Sequence, residues 1–379
     1  MKIAIISYGF AEYCVQQANG LARHGDVLLL LPRDEAEPYL AQLDSAVHFC
    51  PFAKPRLRQP ARQIIAAAGL VRQLRRFQPD VIHIQHGHMW FNLALPWLRS
   101  FPLVMTIHDP RHHVGDRASR KTPQPLMDFG FRRADRVIVH GEVLKRQLAD
   151  ELRISSQKIH VIPHVALGPV DGLCEADEAA PQILFFGRIW KYKGLEHLIQ
   201  AQPMISQALP AARIVIAGQG DDFEPYRRMI VEPGRFTVHN RFIELAERDE
   251  LFRRASVVVL PYITATQSGV IPLAYAYGKP VVATNVGALC EAVEDGVTGR
   301  LVPPSDPAAL ARAVIDLLSD RARCHAMGAA GKRKLDAECS PAIVADQTMA
   351  VYQRAIQDHK SWQRLAAPAP AAESLPKSC

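Results

Sequence analysis

Two segments in the second half of the chain carry residues able to bind a phosphorylated ligand. The longer one, residues 255–304, reads ASVVVLPYITATQSGVIPLAYAYGKPVVATNVGALCEAVEDGVTGRLVPP. It predicts a strand over Val257–Leu260, a polar loop over Thr264–Ser268 and then a short helix. Ser268-Gly269 stands where that helix must begin, and Pro272 is compatible only with its first turn. The loop would therefore direct backbone N–H groups and the positive end of a helix at one point, which suits a phosphate; an ordinary strand–helix turn is the alternative.

The second segment is a cationic loop within residues 183–199, which read ILFFGRIWKYKGLEHLI. A predicted strand over Ile183–Phe186 leads into a loop that contains Arg188 and Lys193, and an amphipathic helix follows. Arginine offers a planar fork of donors and lysine a mobile point charge, so the pair could hold a diphosphate from two sides. A solvated cationic loop is the alternative, but a lysine beside a glycine directly after a buried strand favours phosphate binding.

Strand-like and helix-like segments alternate along the whole chain, which predicts two parallel sheets covered by helices on both faces. Helical patterns include Val15–Arg23 and Ala61–Phe77. The predicted strands are Ile3–Ser7, Val27–Leu31, Val81–Gln85, Leu103–Ile107, Val137–Val139, His160–Ile162, Ile183–Phe186, Arg213–Ala217, Thr237–His239, Ser256–Leu260, Pro280–Ala283 and Gly299–Val302. Ligands of such sheets lie beyond the carboxyl ends of the strands, so the site is expected in a cleft between two Rossmann-like domains.

A stretch rich in glycine, proline and acidic residues, Ala166–Pro181, has no periodicity and predicts the linker between the domains. The expected domains are residues 1–170 and 171–340, with a helix over 341–362 that crosses back onto the first domain. The tail over 366–379 is rich in Pro, Ala and Ser and is expected to be disordered.

Composition is that of a soluble globular protein, with 379 residues, 48% of them hydrophobic and 22% charged. No apolar run approaches the length of a membrane span, and MKIAIISYGF at the amino terminus resembles a first strand more than a signal peptide. The seven cysteines are scattered and never in CxxC spacing, which is compatible with a reducing cytoplasm. A cytoplasmic location is therefore expected.

Taken together, the motifs resemble the donor-binding half of retaining GT-B glycosyltransferases, specifically the large fourth glycosyltransferase family. The motifs are GR(x)4KG, AGQG, the LPY loop and GKPVVAT…VGALCEAVEDGVTGRLV, and the resemblance covers residues 1–360. It implies an α/β fold of two Rossmann-like domains facing each other across a cleft, and transfer of a sugar from a nucleotide diphosphate sugar. It implies no metal or other cofactor, and by analogy a lipid-linked or saccharide acceptor in bacterial cell-surface polysaccharide assembly.

The resemblance also assigns roles to individual residues. Arg188 and Lys193 would stabilise the leaving diphosphate. His108, at the end of a strand, could donate a hydrogen bond to a sugar hydroxyl or carry a proton, or simply mark the strand end. The donor-binding candidates are Gly218, Gly220, Arg241, Phe242, Thr266, Gln267, Ser268, Gly269 and Val270, and the acceptor-side candidates are Gly9, Glu12, His86 and Asp109. For Phe242, burial in the core is an equally good interpretation.

One departure from the family pattern concerns a pair of glutamates, of which the first contacts the donor sugar and the second the ribose. Their positions here, aligned through Gly278, hold Ala265 and Leu273. A sub-branch resembling exopolysaccharide transferases has a TQSGVIPLAYA-type loop instead, so the hydroxyl and amide groups of that loop would hold sugar and phosphate. Glu291 could supply a carboxylate or cap its helix.

The first 170 residues are basic, with 22 Lys and Arg against 14 Asp and Glu. Six arginines fall between Arg56 and Arg76, which favours an anionic membrane surface or a lipid-phosphate acceptor over nucleic acid, since no nucleic-acid-binding module accompanies them. A solvated helix face is the alternative. His86, His88, His112 and His113 could outline a metal site, but they lack a carboxylate shell and metal is not expected.

Two rival functions follow from the same residues. A sugar-nucleotide epimerase or hydrolase would need a general acid–base pair, which the loss of both glutamates disfavours. A catalytically silent GT-B module that binds a donor or a partner is instead compatible with that loss.

Overall fold

The computed structural model describes residues 1–112, 122–168, 180–220 and 222–366. Most of the predicted linker and all but the first residue of the predicted tail lie outside these ranges. Within them, no helix is both long and apolar enough to cross a membrane.

The first sheet has seven strands, all parallel, in the order β3-β2-β1-β4-β5-β6-β7. They are β1 (Lys2–Ser7), β2 (Asp26–Pro32), β3 (Val47–Phe52), β4 (Val81–Gln85), β5 (Leu103–Thr106), β6 (Arg136–Val139) and β7 (Ile159–Val161). β3 was not predicted from the sequence, and its residues are mostly half-buried because it is the outermost strand. Pro51 within it cannot donate to a neighbouring strand, which an edge position tolerates.

Helices cover both faces of this sheet, and a buried apolar cluster fills the space on each side. They are α1 (Ala11–Ala22), α2 (Arg33–Ala36), α3 (Pro60–Phe77), α4 (Met89–Ala94), α5 (Gln124–Arg133) and α6 (Glu142–Leu152). Leu70 and Leu74 on α3 pack against one face, and Val15 and Ala18 on α1 pack against the other. Burial on both faces explains why the central strands are apolar without alternation.

The second sheet has six parallel strands in the order β10-β9-β8-β11-β12-β13. They are β8 (Gln182–Phe186), β9 (Arg213–Ala217), β10 (Phe236–His239), β11 (Val257–Leu260), β12 (Val281–Thr284) and β13 (Gly299–Val302). The helices are α7 (Leu195–Ala208), α8 (Glu224–Arg227), α9 (Leu245–Arg254), α10 (Val270–Ala276), α11 (Leu289–Ala292), α12 (Pro307–Ser319) and α13 (Arg321–Glu338). Both sheets begin with the strand order of a Rossmann fold, so the predicted fold class is confirmed.

The last helix, α14 (Pro341–Ala366), follows the second sheet in the chain but packs against the first domain. Val344 and Tyr352 on α14 belong to the same buried cluster as the residues of α1. At the crossing of α1 and α14, a methyl group on Gly20 would lie 2.1 Å from the carbonyl oxygen of Pro341. The close approach of these two helices therefore requires glycine at this position.

Several polar contacts between described residues join the two domains. A buried ion pair links Arg248 on α9 to Glu12 on α1, with 2.7 Å between Nη1 and Oε2. Glu291 on α11 accepts hydrogen bonds from the backbone N–H groups of Glu142 (2.7 Å) and Val143 (2.8 Å), at the start of α6. Thr266 donates a hydrogen bond to Asp109. These contacts hold the carboxyl ends of both sheets towards each other.

We predict that Arg248→Met lowers the free energy of unfolding by about 3 kcal/mol, because it leaves the charge of Glu12 buried without its partner. The double variant Glu12→Gln with Arg248→Met should recover part of that loss. Urea denaturation followed by circular dichroism measures both.

Arg254→Met on the same helix is the matched control, since Arg254 pairs with Glu250 at an exposed position and its loss should cost less than about 1 kcal/mol. Equal losses for Arg248 and Arg254 would show that the ion pair between the domains does not stabilise the fold.

Candidate active site

A cleft of about 280 Å³ lies where the carboxyl ends of strands from both sheets meet. Gly9 follows β1, His86 follows β4 and Asp109 follows β5 in the first domain, while Arg188 follows β8 in the second. β1 and β4 are neighbours in the sheet although β2 and β3 separate them in the chain, so the cleft opens at the topological switch point of the first sheet. Ligands bind at this position in open α/β sheets.

The cationic loop after β8 is held by aromatic rings. The guanidinium carbon of Arg188 lies 4.2 Å from the centre of the Trp190 ring, and Nη2 donates to the hydroxyl of Tyr192 at 3.4 Å. The Nζ of Lys193 lies 3.7 Å from the centre of the Tyr262 ring. Cation–π contacts of this kind orient a cationic side chain without supplying a counter-charge.

Lys193 is buried, with only 9% of its surface exposed. Burial lowers the pKa of Lys193 to about 7, and the nearby charge of Arg188 acts in the same direction, while Asp109 opposes it. An anionic ligand beside Lys193 would restore the charged ammonium, because an opposite charge at short range favours the ionised form.

Tyr262 connects Lys193 to the polar loop before α10. Its hydroxyl lies 3.1 Å from the hydroxyl oxygen of Ser268, which in turn accepts a hydrogen bond of 3.3 Å from the N–H of Val270. The structure thus brings Arg188, Lys193 and Ser268 together, although some seventy residues of sequence separate them. The N–H of Val270 is already engaged within the loop, which the sequence did not indicate.

The other residues of the polar loop face the first domain. Thr266 contacts Asp109, and a methyl group on Gly269 would lie 3.5 Å from the Nε2 of His164. The side-chain oxygen of Gln267 is buried and has no hydrogen-bond partner among the described residues. This loop therefore forms the wall of the second domain that faces the histidines of the first.

His108 is fully buried and stacks on Phe10, with 4.2 Å between ring centres. Its Nε2 lies 3.2 Å from the side-chain oxygen of Gln85, while the amide nitrogen of Gln85 donates to Gln17. Because that oxygen of Gln85 can only accept, Nε2 of His108 carries the proton and Nδ1 is an unprotonated acceptor. Nδ1 has no partner in the described part of the chain.

Further imidazoles surround His108, with His140 at 5.0 Å and His164 at 6.3 Å between ring centres. Burial lowers the pKa of His140 to about 4 and that of His164 to about 3, and it holds the pKa of His108 well below its ordinary value. His108 is thus neutral at physiological pH. It cannot serve as a general acid there. His108 does not itself line the cleft, whereas Phe10, which stacks on it, does.

Two glycines shape the loops after β8 and β9. A methyl group on Gly218 would lie 1.9 Å from the carbonyl oxygen of Gly187, and one on Gly220 would lie 2.3 Å from that of Ile189. The two loops can therefore touch only because both residues lack a side chain. Beyond β10, the Phe242 ring is 64% exposed, which excludes the buried alternative, and Arg241 forms two 2.7 Å hydrogen bonds with Glu247.

The acceptor-side candidates divide into two groups. Gly9, His86 and Asp109 line the cleft, and His86 and Phe10 both have positive φ (61° and 56°), which is uncommon outside glycine and frequent at functional sites. Glu12 does not line the cleft. Its Oε2 binds Arg248, and its Oε1 accepts from the N–H of Gly168 at 3.0 Å.

The two positions of the family glutamates carry no carboxylate. Leu273 is 4% exposed and packs in the core of the second domain, and the backbone oxygen of Ala265 lies against Gly287. Glu291 does cap a helix, but that helix is α6 of the opposite domain. Asp109 is the carboxylate that the cleft itself offers beside Arg188.

Among the described residues, no three His, Cys, Asp or Glu side chains are grouped so as to hold a metal ion. His86, His88 and His112 line the cleft, whereas His113 lies outside the described residues. The Nε2 of His112 contacts the carbonyl oxygen of Thr122, and His88 stacks on Tyr8 at 3.8 Å between ring centres.

The groups that hold the candidate residues in place were not predicted from the sequence. These are the aromatic rings of Trp190, Tyr192 and Tyr262, the amide of Gln85, and the imidazoles of His140 and His164. The sequence did contain a signal for Trp190 and Tyr192. They flank Lys191 in WKYK, and aromatic residues beside lysines can serve as cation–π partners.

Two Rossmann-like domains that face each other across a cleft, with a basic loop on one side and a histidine on the other, define a GT-B glycosyltransferase. Solved structures agree on the fold. The sucrose-phosphate synthase of Thermosynechococcus elongatus matches with a TM-score of 0.74 at 19% identity, covering 94% of this chain and all of that one. The Anabaena protein HepE in complex with UDP and glucose matches with a TM-score of 0.71 at 19% identity, covering 93% of this chain and 99% of that one.

Sequence comparisons specify the family. A model described as Glycosyltransferase Family 4 matches residues 8–165, and one described as Glycosyl transferases group 1 matches residues 180–320. A D-inositol 3-phosphate glycosyltransferase of Mycolicibacterium gilvum is 30% identical over 330 residues, which cover 80% of this chain and 73% of the relative. A glycogen synthase of Mycobacterium tuberculosis is 28% identical over 300 residues, covering 73% and 69%. The chain belongs to glycosyltransferase family 4 and is a glycosyltransferase.

The lowered pKa of Lys193 predicts a pH dependence of stability. An unfolded lysine keeps its proton up to about pH 10, whereas folded Lys193 releases it near pH 7. Between these values the unfolded chain binds more protons, so this group makes the free energy of unfolding rise with pH. The difference between the wild type and Lys193→Met should therefore increase by up to about 1.4 kcal/mol per unit from pH 7 to 9.

Chemical denaturation at several pH values measures this difference. Lys191→Met is the control, since Lys191 is exposed and its curve should run parallel to that of the wild type. A parallel curve for Lys193→Met would contradict the depressed pKa.

Proposed function

We propose that this enzyme moves a sugar from a nucleotide diphosphate sugar to a lipid-linked or saccharide acceptor with retention of anomeric configuration. The observation that carries the proposal is the convergence of Arg188, Lys193 and Ser268 at the carboxyl ends of the second sheet, next to the loop that faces Asp109 and His164 of the first domain. Positive charges held in fixed orientations are suited to a diphosphate that gains negative charge as it leaves. The UDP and UDP-glucose complexes of the fold relative HepE support a donor of this chemistry.

In the proposed reaction, the bond between the sugar anomeric carbon and the diphosphate oxygen breaks. The acceptor hydroxyl forms a new bond to that carbon on the same face, and its proton passes to the departing phosphate oxygen. Arg188 and Lys193 stabilise the phosphate. Nδ1 of His108 accepts a hydrogen bond from the sugar after the Phe10 ring, which covers His108 on the cleft side, has moved aside. No protein nucleophile is required, so positioning and electrostatic stabilisation supply the rate.

Incubation with UDP- and GDP-sugars separates this proposal from its rivals. Release of nucleotide that requires an acceptor indicates a transferase, and release without an acceptor indicates a hydrolase. A nucleotide that raises the melting temperature but never turns over indicates a silent binding module. NMR of the product, which distinguishes the two anomers, tests retention.

We predict that Arg188→Ala lowers kcat/KM by roughly 10²–10³-fold, the scale for loss of one preorganised charge contact, and weakens nucleotide binding. His108→Ala should lower kcat while nucleotide affinity stays nearly unchanged, because the nucleotide belongs to the second domain. Steady-state kinetics and calorimetry with the nucleotide measure the two effects.

Arg254→Ala offers a control in the second domain, since its guanidinium is paired with Glu250 at the surface and it is not a candidate site residue. Equal losses of nucleotide affinity for His108→Ala and Arg188→Ala, with both variants folded, would contradict the division into acceptor and donor domains.

We further propose a role in bacterial cell-surface polysaccharide assembly, at the cytoplasmic face of the membrane. Support comes from the outer surface of α3 and the loop before it, where six arginines are exposed: Arg56, Arg58, Arg62, Arg72, Arg75 and Arg76. Ile64 and Ile65 on the same helix are 59% and 71% exposed. Exposed apolar side chains interleaved with arginines suit the surface of an anionic bilayer.

Binding to vesicles should therefore require anionic lipid and weaken as salt rises. The variant Arg72→Glu with Arg76→Glu is expected to abolish most co-sedimentation. Reversal of Arg227 and Arg228, exposed on the second domain, is the matched control and should leave it unchanged. Equal pelleting with neutral and anionic vesicles would overturn the membrane proposal.

A further inference from the structure

A groove, here named the α3 groove, lies between α3 and the end of the edge strand β3. Its volume is about 380 Å³. The lining side chains are mostly apolar: Pro51, Phe52, Ile65, Ala66, Gly69 and Leu70, with Arg62 and Gln73 as the charged and amide members. Gln63 on α3 ties the helix to the segment after β3, since its side-chain nitrogen donates to the carbonyl oxygen of Pro55 at 2.7 Å.

Gly69 borders the groove at a position where no neighbouring part of the chain requires a glycine. It lies inside α3, where glycine is destabilising relative to alanine. A methyl group placed on Gly69 would have no atom within 4 Å. No close approach of another element therefore requires a glycine here, and what the missing side chain provides is open volume in the groove.

The α3 groove continues towards the cleft of the active site. A neighbouring cavity of about 440 Å³ shares Pro51, Phe52 and Arg62 with the α3 groove. The neighbouring cavity is also lined by Lys54, and Lys54 lines the cleft as well. The three spaces therefore follow one another along the first domain.

Charge changes along this path. The α3 groove is apolar, while the neighbouring cavity adds Arg33, Lys54 and one acid, Asp34, to Arg62. Among the described residues, Arg33 and Arg62 make no ion pair, whereas Lys54 contacts the carboxylate of Glu35 and the carbonyl oxygen of Tyr8. From the α3 groove to the cleft, the lining is therefore first apolar and then cationic, and the path ends at the candidate active site.

We propose that the α3 groove binds the hydrocarbon chain of a lipid-phosphate-linked acceptor, whose phosphate lies beside Arg33 and Arg62. Such a molecule has the matching order of hydrocarbon, phosphate and hydroxyl-bearing sugar. The assignment of the sugar end to the cleft rests on the proposed function. The binding of an alkyl phosphate to the groove does not, so the two can be tested separately.

Calorimetry with hexyl, octyl and decyl phosphate, each below its micelle concentration, tests the groove. Each buried methylene should tighten Kd about fourfold. Gly69→Leu should remove this dependence on chain length because its side chain occupies the groove. Arg62→Ala should weaken all three probes at least fivefold and leave the chain-length dependence in place.

Ala68→Leu is the matched control, since Ala68 is the preceding residue of α3, is exposed and does not line the groove. Its Kd values should equal those of the wild type. A decyl phosphate carrying a diazirine supplies a measurement without substitution, and photolabelling should fall on peptides from residues 51–73.

The proposal is overturned if Kd does not depend on chain length, if Gly69→Leu binds decyl phosphate like the wild type, or if the label falls elsewhere. Failure of the proposed function looks different. No donor sugar would then be transferred, while alkyl phosphates would still bind in a manner that Gly69→Leu blocks.

Discussion

The burial of one positive charge is the constraint on which the rest of the site depends. Lys193 lies against the face of Tyr262 with little access to water, and no carboxylate among the described residues lies within ion-pair distance. An ammonium in such a place loses hydration that an aromatic ring only partly replaces. The packing of strands β8 and β11 offsets the free-energy cost of burying this ammonium. A bound diphosphate would lower that cost. The surroundings of Lys193 therefore favour a bound anion.

The wall of the second domain near Lys193 carries no carboxylate at residues 265 and 273, the positions of the family glutamates. Here Leu273 contributes to the core of the second domain, and hydroxyl and amide groups fill the polar loop. Among the described residues that line the cleft, the acidic one is Asp109 of the opposite domain, which also accepts a hydrogen bond from Thr266. The first domain therefore supplies the carboxylate of the cleft.

Sequence patterns predicted the parts of the fold that depend on local periodicity. The buried strands, the Rossmann-like domains and the grouping of Arg188 with Ser268 all follow from apolar runs that end in polar loops. β3 was missed because an edge strand with a proline lacks that signal. The ion pair of Glu12 with Arg248 joins residues that are 236 positions apart, and no local pattern encodes such a pair. The protonation state of His108 depends on the orientation of Gln85, which only the three-dimensional arrangement defines.

The chain passes between the domains twice, once near Ala166 and once between Cys339 and α14. The N–H of Ala166 donates to the carbonyl oxygen of Cys339 at 2.7 Å, so the two passages lie side by side. Two adjacent connecting segments that are hydrogen-bonded to each other act as a single hinge. A hinge of this kind allows the domains to open and close but restricts twisting and sliding. Glu12 accepts a hydrogen bond from Gly168, which is only two residues from Ala166 at the hinge. The distance between Glu12 and Arg248 therefore changes little when the domains open. Distances between atoms further from the hinge increase more for the same rotation. The width of the cleft entrance therefore changes most when the domains open.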